Sequence, residues 1–418
     1  MNIKAGNGIN DDTEYIQRLL DSGKSCVSLP EPEKFYLISK PLRIPSDTAL
    51  VLDRFTEIRL APGSNCLMLQ NADPVGGNRN ISVAGGIWNY NNLNQEPNPL
   101  ATQKYKANNQ FDRTFNDSDT YSEEYLGVPI RFMRVENLHI SGLTLKDPIT
   151  FAVQLGFVKY FTVSDITFDF NLGNPCAANM DGIHIDGGCR FGHVENLKGT
   201  CYDDLVAVNA DDFISGPISD ITINGIYSEE CHSAVRLLSV VSPVRNISIS
   251  NVYGSYYQYA VTLSKYFERP GSRGQFSNII LKNLSVSKSI RRPELKKITQ
   301  TFELICIEPE LDIDSLVIEN LSRYETVNPV ETIHIAENTS IGLLAVRDSV
   351  QKNCLNHPDY VSGKGHIGDT NEIRPYNRDT NDIIFCINDG KIGRLDFSGT
   401  QAEGTLLCNN GVIEKIIS

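Results

Sequence analysis

The 418-residue chain lacks most of the signals that assign a protein quickly. No apolar run reaches membrane-spanning length, and the opening MNIKAGNGINDD has no apolar leader core. The chain is therefore expected to be cytoplasmic, or secreted or periplasmic with its leader removed. Cations are scarce: 38 Lys and Arg stand against 51 Asp and Glu, a net charge of −13. That balance argues against nucleic acid or an anionic membrane as partner, since either needs a basic surface. Ten cysteines are present, but none forms a CxxC pair or a metal-ligand spacing, so no metal or other cofactor is expected. They read as small buried packing residues, with Cys189, Cys201 and Cys231 placed to meet on neighbouring elements. GxSxG, P-loop and dinucleotide fingerprints are all missing. Only 21% of residues are charged and 40% are hydrophobic, which suits a folded chain with a sizeable core. No Gly/Ser or Pro linker divides it, so residues 1–418 are expected to form one domain.

A recurring phrase is what the chain does have. Asn or Asp is followed by alternating Ile, Leu or Val in NISVAGG from Asn80, NLHISGL from Asn137, DITF from Asp165, NLKG from Asn196, DITINGI from Asp220 and NISISNV from Asn246. The middle copies lie 28, 31, 24 and 26 residues apart, a period that means a solenoid. Each phrase precedes a second apolar run, such as FAVQL, DGIHID, DDLVAVN, SAVRLLS and YAVTLSK. Short strands, no helical period and an Asn at a fixed place in each coil specify an all-β chain, a parallel β-helix with stacked asparagines. Before it, DDTEYIQRLLDSG predicts a short capping helix: Asp11 and Glu14 have capping-box spacing, and Ile16, Leu19 and Leu20 share a face. Asn80, Asn246, Asn283, Asn320 and Asn338 sit in Asn-x-Ser/Thr contexts, but their place in the strand phrase marks them as turn residues rather than glycan carriers.

Two long segments depart from the repeat, 88–126 and 347–382. The first is polar yet carries Trp88, Tyr90, Tyr105, Phe111, Phe115, Tyr121 and Tyr125. Flat rings among amides suit a sugar surface, which makes Trp88 a candidate substrate contact; a loop packed by its own aromatics is the alternative.

The chemistry concentrates between Asn179 and Asp212. DGIHID and DDLVAVN superpose as GIHID over LVAVN, with Ile183, Ile185, Val206 and Val208 inward. His184, Asp186, Ala207 and Asn209 then share the outer face, His184 and Asn209 being candidate substrate contacts. Stacked strands lie about 4.8 Å apart, so Asp181 and Asp204 become neighbours, with Asp203 offset beside them. Carboxyls this close repel, which raises at least one pKa and sets a general acid beside a general base. Three such carboxyls fit glycoside hydrolysis, inverting if their separation admits a water. Asp211 and Asp212 read as turn residues after the strand.

Asn179-Met180-Asp181, followed one coil later by Tyr202-Asp203-Asp204, resembles the Asn-x-Asp and Asp-Asp motifs of the polygalacturonase-type glycoside hydrolases of family 28. The N-terminal phrase through KPLRIPS is similar to bacterial members, and the resemblance is strongest from about residue 6 to 265. It implies a right-handed parallel β-helix, a metal-independent inverting mechanism and a pectic or related polysaccharide or oligosaccharide substrate. It also implies Asp203 as general acid, with Asp181 and Asp204 activating water. Where that family has Gly-His-Gly, this chain reads Cys231-His232-Ser233, and the family's Arg-Ile-Lys survives only as Arg236 and Lys265. His232, Arg236 and Lys265 are thus candidate substrate contacts. Two other readings stay open: a β-helix polysaccharide lyase using Ca²⁺ with Lys265 or Arg236, and a non-catalytic glycan-binding β-helix.

Overall fold

The computed structural model describes residues 5–101, 125–289, 295, 302–354 and 383–417. Residues 102–124 and 355–382, the bulk of the two departures from the repeat, lie outside the described residues.

Each short alternating run pairs in parallel with the run one coil away, and the coil has three faces. The first face stacks Ile130–Met133, Val153–Gly156, Ile183–Asp186 and Asp204–Asn209. It continues through the ends of Ile218–Leu238 and Val244–Ser264 into Ile305–Ile307 and Ile333–Ile335. The second face stacks Asn78–Ala84, Val135–Ser141 and Lys159–Ser164 in succession. The copies of the recurring phrase from Asn80, Asn137, Asp220 and Asn246 lie on it, whereas those from Asp165 and Asn196 lead into the third face, so the phrase merges two different bends of the coil. The third stacks Glu57–Leu60, Ile87–Asn89, Thr144–Lys146 and Thr167–Asp169. The coil is right-handed, the hand that parallel crossovers adopt. Inward residues from all three faces build one continuous apolar column running the length of the molecule.

The asparagine phrase has a backbone cause. Asn137, Asp165, Asn196, Asp220 and Asn246 sit at bends with φ between 54° and 65°. Among residues with a side chain, Asn and Asp tolerate that left-handed conformation best. Stacking then links their side chains: Asn246 Nδ2 donates to Asp220 Oδ1 at 2.8 Å, and Asn278 Nδ2 to Asn246 Oδ1 at 3.1 Å. A second ladder runs from Asn320 to Asn283 at 3.0 Å and from Asn283 to Asn251 at 3.1 Å. The amides of Asn80, Asn246, Asn283 and Asn320 are therefore ladder donors, and all five sequon asparagines lie at left-handed bends.

The capping helix spans Thr13–Leu20 and buries Ile16 and Leu20. Its start corrects the capping-box expectation. Asp12 is the N-cap residue, and its carboxylate accepts instead from the backbone N–H groups of Gly6 and Leu37 at 3.1 and 3.0 Å. Asp11 accepts from the N–H and hydroxyl of Thr13. The first turn is thus tied to the body of the coil rather than capped by itself.

Trp88 also differs from expectation. It lies on the third face between Ile58 and Leu145, wholly buried, with Nε1 donating to Gly85 O at 3.2 Å. Tyr90 is equally buried, and its hydroxyl donates to Cys66 O at 3.0 Å. Both rings belong to the core, so Trp88 is not available to a sugar. The strand alternation carries past Ile87 into what composition alone marks as loop.

Candidate active site

The register fixes the site. Gly182 N donates to Asp204 O at 3.0 Å, and Ile183, His184, Ile185 and Asp186 pair with Val206, Ala207, Val208 and Asn209. A Cβ on Gly182 would lie 2.5 Å from Leu205 O, so glycine here lets the coils close up. One coil further, Asp204 pairs with Ser233 and Ala207 with Arg236; beyond that, Ser233 pairs with Tyr259. Asp181, Asp203, Asp204, His184, His232 and Arg236 thus gather on the outer side of three successive coils.

Although they face outward, most of these groups are buried. Phe151 stacks on the His184 ring at 3.9 Å, and Phe213 meets Phe151 edge-on at 5.3 Å. Tyr259 packs edge-on to His232 at 6.0 Å. Asp203 is the most open of the three carboxyls, with 24% of its side chain exposed against 5% for Asp181 and 2% for Asp204. A group that must reach a substrate oxygen needs that opening.

Each carboxyl has a distinct surrounding. Asp204 Oδ1 accepts from Ser233 Oγ at 2.5 Å and from the Tyr259 hydroxyl at 3.0 Å, while Oδ2 lies 3.8 Å from Arg236 Nη1. Burial and the neighbouring Asp203 nevertheless raise its pKa. Asp203 is pushed up to about 6 by burial, against the opposing pull of Arg236 and His184. Burial and Asp203 also raise Asp181 well above the usual carboxylate range, opposed by the hydrogen bond from His184. His232 is driven the other way, down to about 4 by burial, so its ring is neutral near pH 7. Its Nδ1 lies 2.9 Å from Ser233 Oγ and 3.7 Å from Asp203 Oδ1. Asp203, Asp204 and His232 each bring one ligand-type atom within 4.8 Å of the others, a spread that suits an acid–base group as well as a cation.

Two further expectations need correction. Lys265 is not at the cluster. Its ammonium donates to Glu310 Oε2 at 2.6 Å, Ser272 O at 3.0 Å and Arg269 O at 3.4 Å, in the turn that follows the first-face strand. All three donors of the ammonium are thus in use. Asp211 does organise a turn, accepting from the N–H groups of Val240, Val241 and Ser242 at 2.7–2.8 Å. Asp212, however, joins the site: Asn209 Nδ2 donates to its Oδ2 at 2.9 Å, 3.9 Å from His184 Nε2. Asn209 is buried, and its Oδ1 finds no partner among the described residues. Arg236 stays at the cluster, with its guanidinium over the Tyr266 ring at 4.5 Å and Nε donating to Ser264 Oγ at 3.2 Å.

Tyr259 was the reachable omission: SAVRL over YAVTL, aligned like GIHID over LVAVN, puts its hydroxyl beside Asp204. Phe151 had no such signal, because it precedes its strand. The cysteine expectation is met in part. Cys201 Sγ and Cys231 Sγ touch at 3.4 Å as free thiols, while Cys189 packs under Val158.

No family profile matches the chain and no curated protein sequence is similar to it. Its likeness is to solved structures, and it defines a fold class: the chain is a right-handed parallel β-helix. The tailspike protein of E. coli bacteriophage HK620 aligns over 99% of this chain and 76% of that one, at 14% identity and a TM-score of 0.57. The endo-xylogalacturonan hydrolase of Aspergillus tubingensis covers 83% of this chain and 90% of its own, at 14% identity and a TM-score of 0.53.

Proposed function

We propose that the protein is an inverting glycoside hydrolase acting on a pectic or related polysaccharide or oligosaccharide. The observation that carries this reading is the gathering of Asp181, Asp203 and Asp204 on two adjoining coils, with only Asp203 substantially open and its pKa raised to about 6. Burying several carboxyls together costs stability, and such groups concentrate where they do chemistry. In the proposed reaction the protonated Asp203 gives its proton to the glycosidic oxygen as the C–O bond breaks. Asp181 and Asp204 hold the water that forms the new C–O bond on the opposite face of the sugar, and its one released proton passes to this pair, on Asp181. Neutral His232 and the cation of Arg236 flank the acid and orient the sugar, while buried Asn209 holds Asp212 beside them. The tailspike structure in complex with a pentasaccharide and the xylogalacturonan hydrolase support a glycan partner on this fold, without choosing the sugar.

The test is a panel of pectic, other plant and bacterial surface oligosaccharides, with wild type compared with Asp203→Asn by reducing-end release. Turnover of one panel member by wild type and its loss in the variant is the expected result. Binding without turnover across the panel would instead select a glycan-binding module. An ultraviolet-absorbing unsaturated product, lost in chelator, would select a lyase.

A further inference from the structure

A chain of buried side chains leads away from Asp181, along the first face toward earlier coils. His184 Nδ1 lies 2.7 Å from Asp181 Oδ2, and its Nε2 lies 3.2 Å from Asp186 Oδ1. Gln154, one coil earlier, donates from Nε2 to Asp186 Oδ2 at 2.6 Å. Arg131, one coil earlier again, donates from Nε to Gln154 Oε1 at 2.7 Å. All five side chains are buried.

Donor and acceptor roles follow from one end to the other. Arginine has no acceptor, so Gln154 must turn its carbonyl oxygen to Arg131 and its amide nitrogen to Asp186. Asp186 is then an acceptor from Gln154. Both ring nitrogens of His184 face carboxylate oxygens, an arrangement that a doubly protonated ring satisfies completely and a neutral ring only once. The charged groups around the ring are Asp181 and Asp186 on its own coil, Asp203 and Asp212 on the next, Arg236 one coil beyond, and Arg131 behind Gln154. Four carboxyls thus stand against two cations, neither of which contacts the ring. Phe151 covers one ring face, and the ring is almost wholly buried, which limits competition from water.

We infer that His184 is a positioning residue: backed by Asp186, Gln154 and Arg131, it stays doubly protonated and donates to Asp181, fixing that carboxylate as the ionised acceptor for the proton of the attacking water. The inference rests on the hydrolase reading of Asp181, but the state of the ring can be measured without any substrate. Burial disfavours the charged ring, yet Asp186 and the hydrogen bonds to both carboxylates raise its pKa well above the ordinary histidine value, in accord with the geometry.

The experiment uses the full chain with ¹⁵N-labelled histidine. There are seven histidines, so His184→Gln assigns the resonances. In wild type the His184 ring should keep both N–H protons at a pH where an ordinary histidine, with its pKa near 6.5, has lost one. In Asp186→Asn, which keeps the volume and removes the counter-charge, it should lose one in the ordinary histidine range, around 6.5. Gln154→Leu, which changes no charge, should move the titration the same way by less, and covers the case in which Asp186→Asn does not fold. On the panel substrate, the acid limb of kcat/KM should shift upward by roughly one pH unit in Asp186→Asn, because Asp181 loses its cationic partner. His184→Gln, which keeps a donor, should restore part of the rate lost in His184→Ala. A purely structural role would lower stability and leave the acid limb in place. A wild-type ring that titrates normally, or one indifferent to both variants, overturns the inference. Absence of turnover on every glycan sinks the hydrolase reading alone, since the ring titration still decides the state of His184.

Discussion

Two histidines on the same face of the coil are held in the same way and differ in what surrounds them. His184 and His334 belong to one ladder that passes through Ala207, Arg236, Thr262 and Cys306. Like His184, His334 lies between two carboxyls, with Glu303 3.2 Å from Nδ1 and Asp389 2.9 Å from Nε2. Around His334, attraction between the ring and its two carboxyls prevails over burial. Burial works against both partners, yet hydrogen bonds and attraction leave Asp389 below its usual value and His334 up at about 9. Nearby, Arg323 and Glu325 are fully buried and paired, with Nε and Nη2 both on Glu325 Oε2. Around His184, by contrast, Asp203, Asp204 and Asp212 add carboxyls with raised pKa values. An acid–His–acid arrangement is therefore an ordinary way for this coil to fix its outer surface. The unmatched carboxyls beside it mark the place where chemistry is expected.

That contrast can be broken at either end, and the largest effect falls on rate. Asp203→Asn should lower turnover of the panel substrate by about 10²–10⁴-fold while leaving the fold intact by circular dichroism. At the paired end the effect falls on stability. Arg323→Ala strands the Glu325 carboxylate and should cost about 3–5 kcal/mol in denaturant unfolding. The same change in rate on removing Arg323, at temperatures where the variant is folded, would erase the distinction between the two regions.

Stability against pH should separate them by sign. Asp203 has a folded pKa raised above its unfolded value near 3.8, so the native state binds the extra proton. Its contribution is present below about pH 4 and is lost as pH rises through about 6. Asp203→Asn should therefore be more stable than wild type at pH 7.5, with the gap closing toward pH 4. His334 has its pKa raised to about 9, so its contribution is full below the unfolded value near 6.5 and is lost as pH rises through 9. His334→Gln should be destabilised at pH 6 and match wild type near pH 10, by thermal unfolding. The smallest effect is expected from Lys265→Met, whose ammonium serves Glu310 and two carbonyls: KM should stay within about twofold of wild type.

Much of the fold was legible because one local rule repeats. A left-handed bend opens each second-face strand, and Asn or Asp marks it at Asn80, Asn137, Asp220 and Asn246; in the two coils between, Tyr160 and Phe191 fill that bend, and Asp165 and Asn196 mark the following one instead. Within a strand, period two is reliable, and it brought Asp181 over Asp204 and His184 over Ala207 in the observed register. The failures lie where that parity is interrupted. Trp88 follows a bend at Gly85 and Gly86, with φ of 77° and 83°, which resets inside and outside. Lys265 follows the last residue of its strand, and its partners come from a turn that no spacing specifies. Asp212 lies after a bend and reaches back to Asn209, so its role depends on the turn that Asp211 builds. Composition placed the aromatics in a loop, but burial placed Trp88 and Tyr90 in the core.

The central claim is that the unmatched carboxyls of the Asp181, Asp203 and Asp204 cluster perform a single displacement at a sugar carbon. Proton NMR of the first product formed from a substrate of known anomeric configuration tests it most directly. The account predicts a product of opposite configuration from wild type, and none on the same timescale from Asp203→Asn. A product of retained configuration, or an inverted one formed equally fast by Asp203→Asn, would contradict it.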